Sequence, residues 1–543
     1  MKKVRILSLL SVTALVTTVL VTAPSVANAA PACDGKSPIQ SCVGVTSDGA
    51  PYAMQVPANF NGTVALYSHG YRYNVDIPVG IPLIGGYKVT NTPEPVPGGN
   101  AEVAKYFFSQ GIAIVGSGFA RQGWNPDSAI KTNVELIDTF KKQFPKTTKV
   151  VAWGSSLGGV ITQGLAEKRP DLVSAVAPMC MADNVSPELT MAGDFLWGIK
   201  VLFDPTIKAG NYSAGAAGVA ESYADLVKVF TVMGKLQAGV SSGAWPDTSS
   251  ATGKALQAAG VPSRSALLLL GLMAGLPTQS AHFDSISGPD GALKLTFPLA
   301  VSPALAVLEN GTNAAALAIL ATQDVENQVG GAVFDNTKTD YAARVDSERV
   351  IFNAALSGNT VIDALLGALS AANPGAPRAA ANPAAVAKMK ALHQNTGKIN
   401  VPTVLMVGVA DPITPAGASQ RLVDLYVEQY AAEKAAARKA YQTTREYKNP
   451  TNKLLMLWNT TPANYTKFDA TGAPITSTPA AQGTNHCNFT SAQLLLVAKS
   501  LVQASSTGKL PSGGALNTAV RKAGNLSIDK GISIPLLKSY GDN

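Results

Sequence analysis

The chain has 543 residues, 46% of them hydrophobic and 14% charged, and a formal net charge of +8. That balance belongs to a large buried core under a sparsely charged surface, and it excludes an intrinsically disordered chain. No dense run of Lys or Arg accompanies the positive charge, which excludes nucleic acid as a partner.

In chain order, the first element is a targeting segment. Lys2, Lys3 and Arg5 precede the apolar run "ILSLLSVTALVTTVLV", and Ala27 to Ala29 form a small-residue cleavage site. Residues 1–29 therefore read as a signal peptide, with a mature, secreted chain starting at Ala30. The competing reading, a membrane anchor, is disfavoured because the run is short for a span and a cleavage site follows it. No later stretch reads as a stable membrane span; "ALLLLGLMAGL" near residue 270 is too short.

Strand patterns come next: "SCVGVT", "PYAMQVP" and "GTVALYSHG". A Pro/Gly-rich loop, the helical "NAEVAKYFFSQ", the apolar "GIAIVGSGF" and the amphipathic "NVELIDTFKKQF" follow. Then come "VVAW", a further helix and "LVSAVAPMC". Continuous apolar strands alternating with helices predict an α/β fold, a mostly parallel sheet with helices on both faces. The first part of this core spans 30–183. Residues 184–397 are Ala-, Gly- and Leu-rich with helical periodicity, too long for a loop, and read as a large helical lid insertion. The strand pattern resumes at "INVPTVLMVGVADPITPA", and the second part of the core spans 398–505. Residues 506–543 read as a Gly/Ser-rich, irregular tail.

One short stretch carries the chemistry. Gly154 to Gly158, "GSSLG", matches G-x-S-x-G between the VVAW strand and a helix. That context predicts a strained turn holding Ser156 out as a nucleophile. A second match, Gly239 to Gly243, follows a helix and runs into a loop, so Ser241 is a chance match. A serine hydroxyl needs a base, and the base needs an orienting group. Only four histidines exist. His282 falls in the helical insertion, His393 near a helix end, and His69 at the end of an early strand, where it braces a loop. His486 lies between the last core strand and the last core helix. Asp411 ends the apolar strand "VPTVLMVGVA", on the ligand side of a parallel sheet. Ser156, Asp411 and His486 are the predicted catalytic residues. The backbone N–H groups of Leu157 and Tyr71 are the predicted oxyanion donors, the first at a helix N-terminus and the second next to Gly70.

Four cysteines, an even count in an exported chain, suggest two disulfides, for which three pairings exist. Cys33 and Cys42 close a small local loop, which leaves Cys180 with Cys487; two buried free thiols are the alternative. A metal site is disfavoured because no C-x-x-C or H-x-x-H spacing occurs.

In the order Ser156, Asp411, His486, the chain resembles a secreted bacterial α/β-hydrolase of the serine esterase and lipase kind, over roughly residues 40–183 and 398–505. The pair His486–Cys487 resembles the tannase and feruloyl-esterase group, where a cysteine follows the catalytic histidine and a disulfide ties the histidine loop to the core. That group has a cysteine directly before the nucleophile, where this chain has Ser155; Cys180 is then a displaced partner. The resemblance implies a secreted carboxylic ester hydrolase working through an acyl-enzyme, without cofactor, on a small-molecule or polymer ester. Phe195, Trp197, Phe203 and Phe230 are candidates to line an apolar lid, although each also fits core packing. A serine peptidase of the same fold is the first rival, but Glu188 and Glu221 are isolated rather than paired as an anchor for a substrate amine. A non-catalytic binding protein retaining the fold is the second.

Overall fold

The structure is a computed structural model describing residues 30–35, 38–182, 184–240, 242–247, 250–288, 300–341 and 378–534. The signal-peptide reading of 1–29 and the chance match at Ser241 lie outside the described residues.

One ten-stranded sheet organises the chain. Its strands are β1 (Ala32–Cys33), β2 (Ile39–Val45), β3 (Pro51–Pro57), β4 (Thr63–Ser68), β5 (Ala113–Ser117), β6 (Lys149–Ser155), β7 (Ala175–Met179), β8 (Thr403–Gly408), β9 (Leu454–Asn459) and β10 (Leu526–Ser527). The spatial order is β1-β2-β3-β5-β4-β6-β7-β8-β9-β10. From β5 to β9 every neighbouring pair is parallel, and β3 runs antiparallel to both β2 and β5. Every residue of β4, β5, β7 and β8 is buried, because helices cover both faces. On one face α1 (Ala101–Ser109) and α11 (Ser491–Thr507) place Val103, Phe107, Leu494 and Leu501 against Trp153, Met179 and Met406. On the other, α2 (Pro126–Gln143) and α3 (Leu157–Lys168) place Leu136, Phe140, Val160 and Leu165 against Val64, Leu66 and Val150. This is the α/β-hydrolase fold.

After β7 the chain leaves the sheet and returns at β8. Among the described residues it forms only helices in between: α4 (Val185–Leu202), α5 (Gly215–Gly239), α6 (Ala251–Ala258), α7 (Ser263–Ala274), α8 (Ser302–Val329) and α9 (Pro383–Ala391). They have an apolar cluster of their own, centred on Leu267 to Leu270 and Leu305 to Leu308. Helix α8 belongs to both clusters, with Val325 and Val329 packed among the sheet's residues and Ile319 and Leu320 among the helices' own. By length and composition α8 could cross a membrane, but 67% of its most apolar window is buried inside the protein.

Two expectations need correction. Residues 506–534 are not an irregular tail: α12 (Gly513–Ala523) packs Leu516 and Val520 into the core, and β10 pairs with β9. Residues 512–514, "SGG", start the helix rather than break the chain. Helix α2 begins at Pro126, about two turns before the predicted start, because Pro is pre-set for the first helical position. A long helix, α10 (Ala416–Thr444), follows β8.

Candidate active site

Ser156 sits between β6 and α3 with φ 59° and ψ −126°, a strained backbone for a residue with a Cβ. The turn is held from both sides: Ser156 N–H donates to the Met179 carbonyl at 3.0 Å, and Gly159 N–H to the Ser156 carbonyl at 2.8 Å. Tight packing explains the flanking glycines. A Cβ on Gly154 would lie 2.2 Å from the Gly158 carbonyl oxygen, and one on Gly158 would lie 2.0 Å from that of Ser68. Leu157 is the first residue of α3, where backbone N–H groups have no partner within the helix. The loop after β4 closes over the turn: a Cβ on Gly70 would stand 3.2 Å from the Ser156 Cβ and 3.7 Å from its Oγ.

Asp411 and His486 meet at the same edge of the sheet. Asp411 is 1% exposed and follows β8. Its carboxylate accepts backbone N–H bonds from Ile413 at 2.9 Å, Thr414 at 3.1 Å and Cys487 at 3.2 Å. Both its oxygens lie 3.0 Å from His486 Nδ1. A carboxylate in this cradle accepts only, so the proton on Nδ1 points to Asp411 and the lone pair resides on Nε2. The histidine loop is pinned to the strand end by a bridge between Ala410 and Thr484 and by the Cys180–Cys487 disulfide, with Cα atoms 5.5 Å apart. The second disulfide joins Cys33 to Cys42 across β1 and β2. Asp411, His486 and Cys487 could in distance hold a metal ion, but the Cys487 sulfur is committed to the disulfide and is no thiolate ligand.

Thr414 links the two halves. Its hydroxyl donates to the Cys180 carbonyl at 2.8 Å and stands 3.4 Å from His486 Nδ1. It also lines, with Ser156, Leu157 and Tyr71, a cavity open at its mouth. The walls of that cavity come from helices α4 and α8 and are almost entirely apolar. Among the described residues, Glu188 is the one charged side chain lining it. Two buried donors at the cavity, the Tyr71 hydroxyl and Trp124 Nε1, have no hydrogen-bond partner among the described residues.

A buried carboxylate holds the cavity walls together. Asp324 on α8 accepts from Trp124 N–H at 2.7 Å, Arg121 Nη2 at 2.6 Å and Asn74 Nδ2 at 2.8 Å. Burial pushes its pKa up against the pull of the Arg121 guanidinium. The loops after β4 and β5 are thereby tied to the helix that lines the cavity.

The other three histidines are placed otherwise. His69 is 3% exposed, bonds Gly70 carbonyl through Nδ1 at 2.7 Å and packs on Phe119. Burial, with Arg72 nearby, holds its pKa down at about 4. His393, two residues beyond α9, is buried against Gly164 and bonded to Asn395, and burial lowers its pKa. His282 is bonded at both ring nitrogens, to Glu309 and to the Thr478 carbonyl. Of the four lid aromatics, only Phe195 lines the cavity. Trp197 stacks on Tyr341, Phe203 packs against Trp245, and Phe230 is buried among the helices. Of the two isolated glutamates, Glu188 lines the cavity while Glu221 pairs with Lys208 elsewhere. Sequence reasoning missed Trp124, Thr414 and the face of α8 formed by Ala314, Leu317, Ala318, Ala321 and Val325. That face has the three-and-four spacing of a helical stripe, a signal present in the sequence.

No family model matches the chain, and no curated protein matches it. Among solved structures, feruloyl esterase B from Aspergillus oryzae is similar at 13% identity, over 87% of this chain and 82% of its own, with a TM-score of 0.37. An esterase from Aspergillus oryzae is similar at 11% identity over 87% and 81%, also at 0.37. Acetyl xylan esterase from Aspergillus awamori is similar at 18% identity over 25% and 47%, at 0.18. The chemistry of this chain has to be read from its own residues.

Proposed function

We propose that the protein is a secreted serine hydrolase that cleaves carboxylic esters, small or polymeric, with Ser156, His486 and Asp411 as its triad. The observation that carries this reading is the strained Ser156 turn, opening on an apolar cavity whose wall residue Thr414 touches the His486–Asp411 pair. Ser156 Oγ attacks the acyl carbon while its proton passes to His486 Nε2. The oxyanion is met by the N–H groups of Leu157 and Tyr71, the former at the positive end of α3. The C–O bond to the alcohol breaks as His486 returns the proton to the leaving oxygen, giving an acyl-enzyme. Water, deprotonated by His486, then releases the acid. Asp411 fixes the tautomer throughout, and no cofactor takes part in these steps. Residues 184–397 act as a lid over the core segments 30–183 and 398–505. Export through residues 1–29 agrees with two disulfides, which persist in oxidising surroundings.

One observation favours a second reading. Glu188 lies in the cavity wall, where a carboxylate would hold a substrate amine, so an amide of an N-terminal residue is the alternative substrate. A fluorophosphonate probe should label Ser156, and p-nitrophenyl esters should be turned over far faster than aminoacyl-anilides. Preferred cleavage of the anilides, abolished by Glu188→Gln, would establish the peptidase instead. Absence of labelling would leave a binding protein with an enzyme's fold.

A further inference from the structure

The cavity has two unlike ends. One holds Ser156, Leu157, Tyr71, Trp124, Ile413 and Thr414, with the uncharged polar groups, and the carboxylate of Glu188 stands on α4 between the two ends. The other is walled by Met191, Ala192, Phe195, Leu276, Ala314 and Leu317, none of which has a side-chain hydrogen-bonding group beyond a thioether. The direction between them follows from packing. Val185 of α4 and Val325 of α8 share an apolar cluster with Leu157, beside the serine. Phe195 lies at the opposite end, against Gly311, where a Cβ would come within 2.7 Å of its ring. Helices α4 and α8 therefore run alongside each other away from Ser156. The lining residues Val185, Leu189, Ala192 and Phe195 form one stripe of α4, about 15 Å long at the helical rise. On α8 the facing stripe is mostly alanine, Ala314, Ala318 and Ala321, so the gap between the helices is not filled by side chains.

The side of the ester that enters this channel is set by the proton. His486 must stand against the leaving oxygen, and His486 does not line the cavity, whereas both oxyanion donors do. The alcohol then lies towards the histidine loop and the acyl group towards the helices. A hydroxylated aromatic or a peptide would lose its hydrogen bonds to water at the far end and find no replacement. An alkyl chain loses nothing there.

Resting on the ester-hydrolase reading, we propose that the channel between α4 and α8 is an acyl site for an unbranched aliphatic chain of medium length. Ala318 sets its width and Phe195 closes its end. Each methylene buried in it is worth about a fourfold gain in kcat/KM.

The test is a chain-length series of p-nitrophenyl esters from acetate through butyrate and octanoate to palmitate, beside a series of acetates of lengthening alcohols. For the wild type, kcat/KM rises with acyl length to a maximum near octanoate and is nearly flat along the alcohol series. In Ala318→Leu the octanoate-to-acetate ratio falls at least about tenfold, the cost of roughly two lost methylenes. In Phe195→Ala the preferred length moves to longer chains, and this arm stands alone should the leucine variant fail to fold. Ratios unmoved by both variants would overturn the proposal, and so would length dependence following the alcohol. Octanoate binding to Ser156→Ala, followed by calorimetry with and without Ala318→Leu, separates the site from the chemistry. If no ester is cleaved yet octanoate binds in an Ala318-dependent way, the ester-hydrolase reading fails and the chain site stands. If octanoate does not bind, the chain site fails.

Discussion

Two histidine–carboxylate pairs occupy different regions of this molecule. At the sheet edge, His486 Nδ1 stands 3.0 Å from Asp411; in the helical region, His282 Nδ1 stands 2.6 Å from Glu309. By distance alone the second is the better orienting pair. What separates them is the other ring nitrogen. His282 Nε2 is 3.1 Å from the Thr478 carbonyl, so both of its ring nitrogens are committed to hydrogen bonds within the protein. His486 Nε2 has the disulfide sulfur of Cys487 at 3.4 Å, a weak acceptor that leaves the nitrogen available to a proton. The first pair has only a weak sulfur contact at its second nitrogen; the second pair ties the helical region to the segment leading to His486. A short histidine–carboxylate contact marks chemistry only where the second nitrogen is uncommitted.

The largest effect that could break this contrast is at the nucleophiles. Ser156→Ala should lower kcat by roughly 10⁶, as for other triads. Ser241→Ala, at the G-x-S-x-G match beyond α5, should leave esterase activity near wild type. Steady-state kinetics of both variants decide it: an exchange of the two results would move the active site into the helical region.

Next come the pairs themselves. Asp411→Asn should cost about 10⁴ in kcat, because an amide in that cradle stabilises the wrong tautomer and cannot support the imidazolium. Glu309→Gln keeps the size of a side chain that bonds Ser280, His282 N–H and the His282 ring. Its cost should appear mainly as a lower melting temperature, with kcat within about tenfold of wild type. Equal losses of kcat would erase the distinction drawn from the second nitrogen.

How much of this was legible beforehand follows the same division. At the sheet edge, chemistry is written in local sequence. Gly154 and Gly158 are required by contacts within two turns and with β4, and Asp411 and His486 stand at strand ends that apolar runs announce. The strain is local too: Phe119, Ser156, Cys180, Asn485 and Cys487 all have positive φ, and all flank this edge. In the helical region, function lies in what packs against what. Ala318 and Phe195 look like Trp197 and Phe230 in sequence, an apolar residue on an apolar helix, and only the crossing of α4 and α8 makes two of them a wall. The short β10 was hidden because its two residues, Leu526 and Ser527, gain strand geometry from pairing with β9 rather than from any pattern of their own.

The disulfides sharpen the contrast between the loop that carries His486 and the hairpin edge at β1 and β2. Cys180–Cys487 spans 307 residues and Cys33–Cys42 only 9. In the chain-entropy model the first stabilises by about 6 kcal/mol and the second by about 2.5. Replacing Cys180 and Cys487 by Ala should therefore cost more stability in urea denaturation. It should also lower kcat by about a hundredfold, since Cys487 adjoins His486, the proposed base, and its N–H bonds Asp411. Replacing Cys33 and Cys42 should leave kcat unchanged. Loss of activity in the second pair of variants would show that the hairpin edge, remote from Ser156, shapes the site.

The smallest effect concerns a histidine at the sheet edge that is not a base. His69 has its ordinary pKa of 6.5 lowered to about 4 by burial beneath the loop that carries Gly70 and Tyr71. The folded protein holds it neutral, while the unfolded chain takes up a proton near pH 6.5. Stability from this residue is fully present above pH 6.5 and is lost as pH falls towards 4, because the unfolded state then binds more protons. The loss amounts to about 3 kcal/mol at 1.36 kcal/mol per unit. Other groups titrate in the same range, so the informative quantity is the difference between wild type and His69→Leu. Urea denaturation from pH 7 to pH 4 should show wild type losing about 3 kcal/mol more than the variant. Parallel curves would mean that His69 takes up a proton in the fold as readily as in the unfolded chain, so that burial does not hold it neutral.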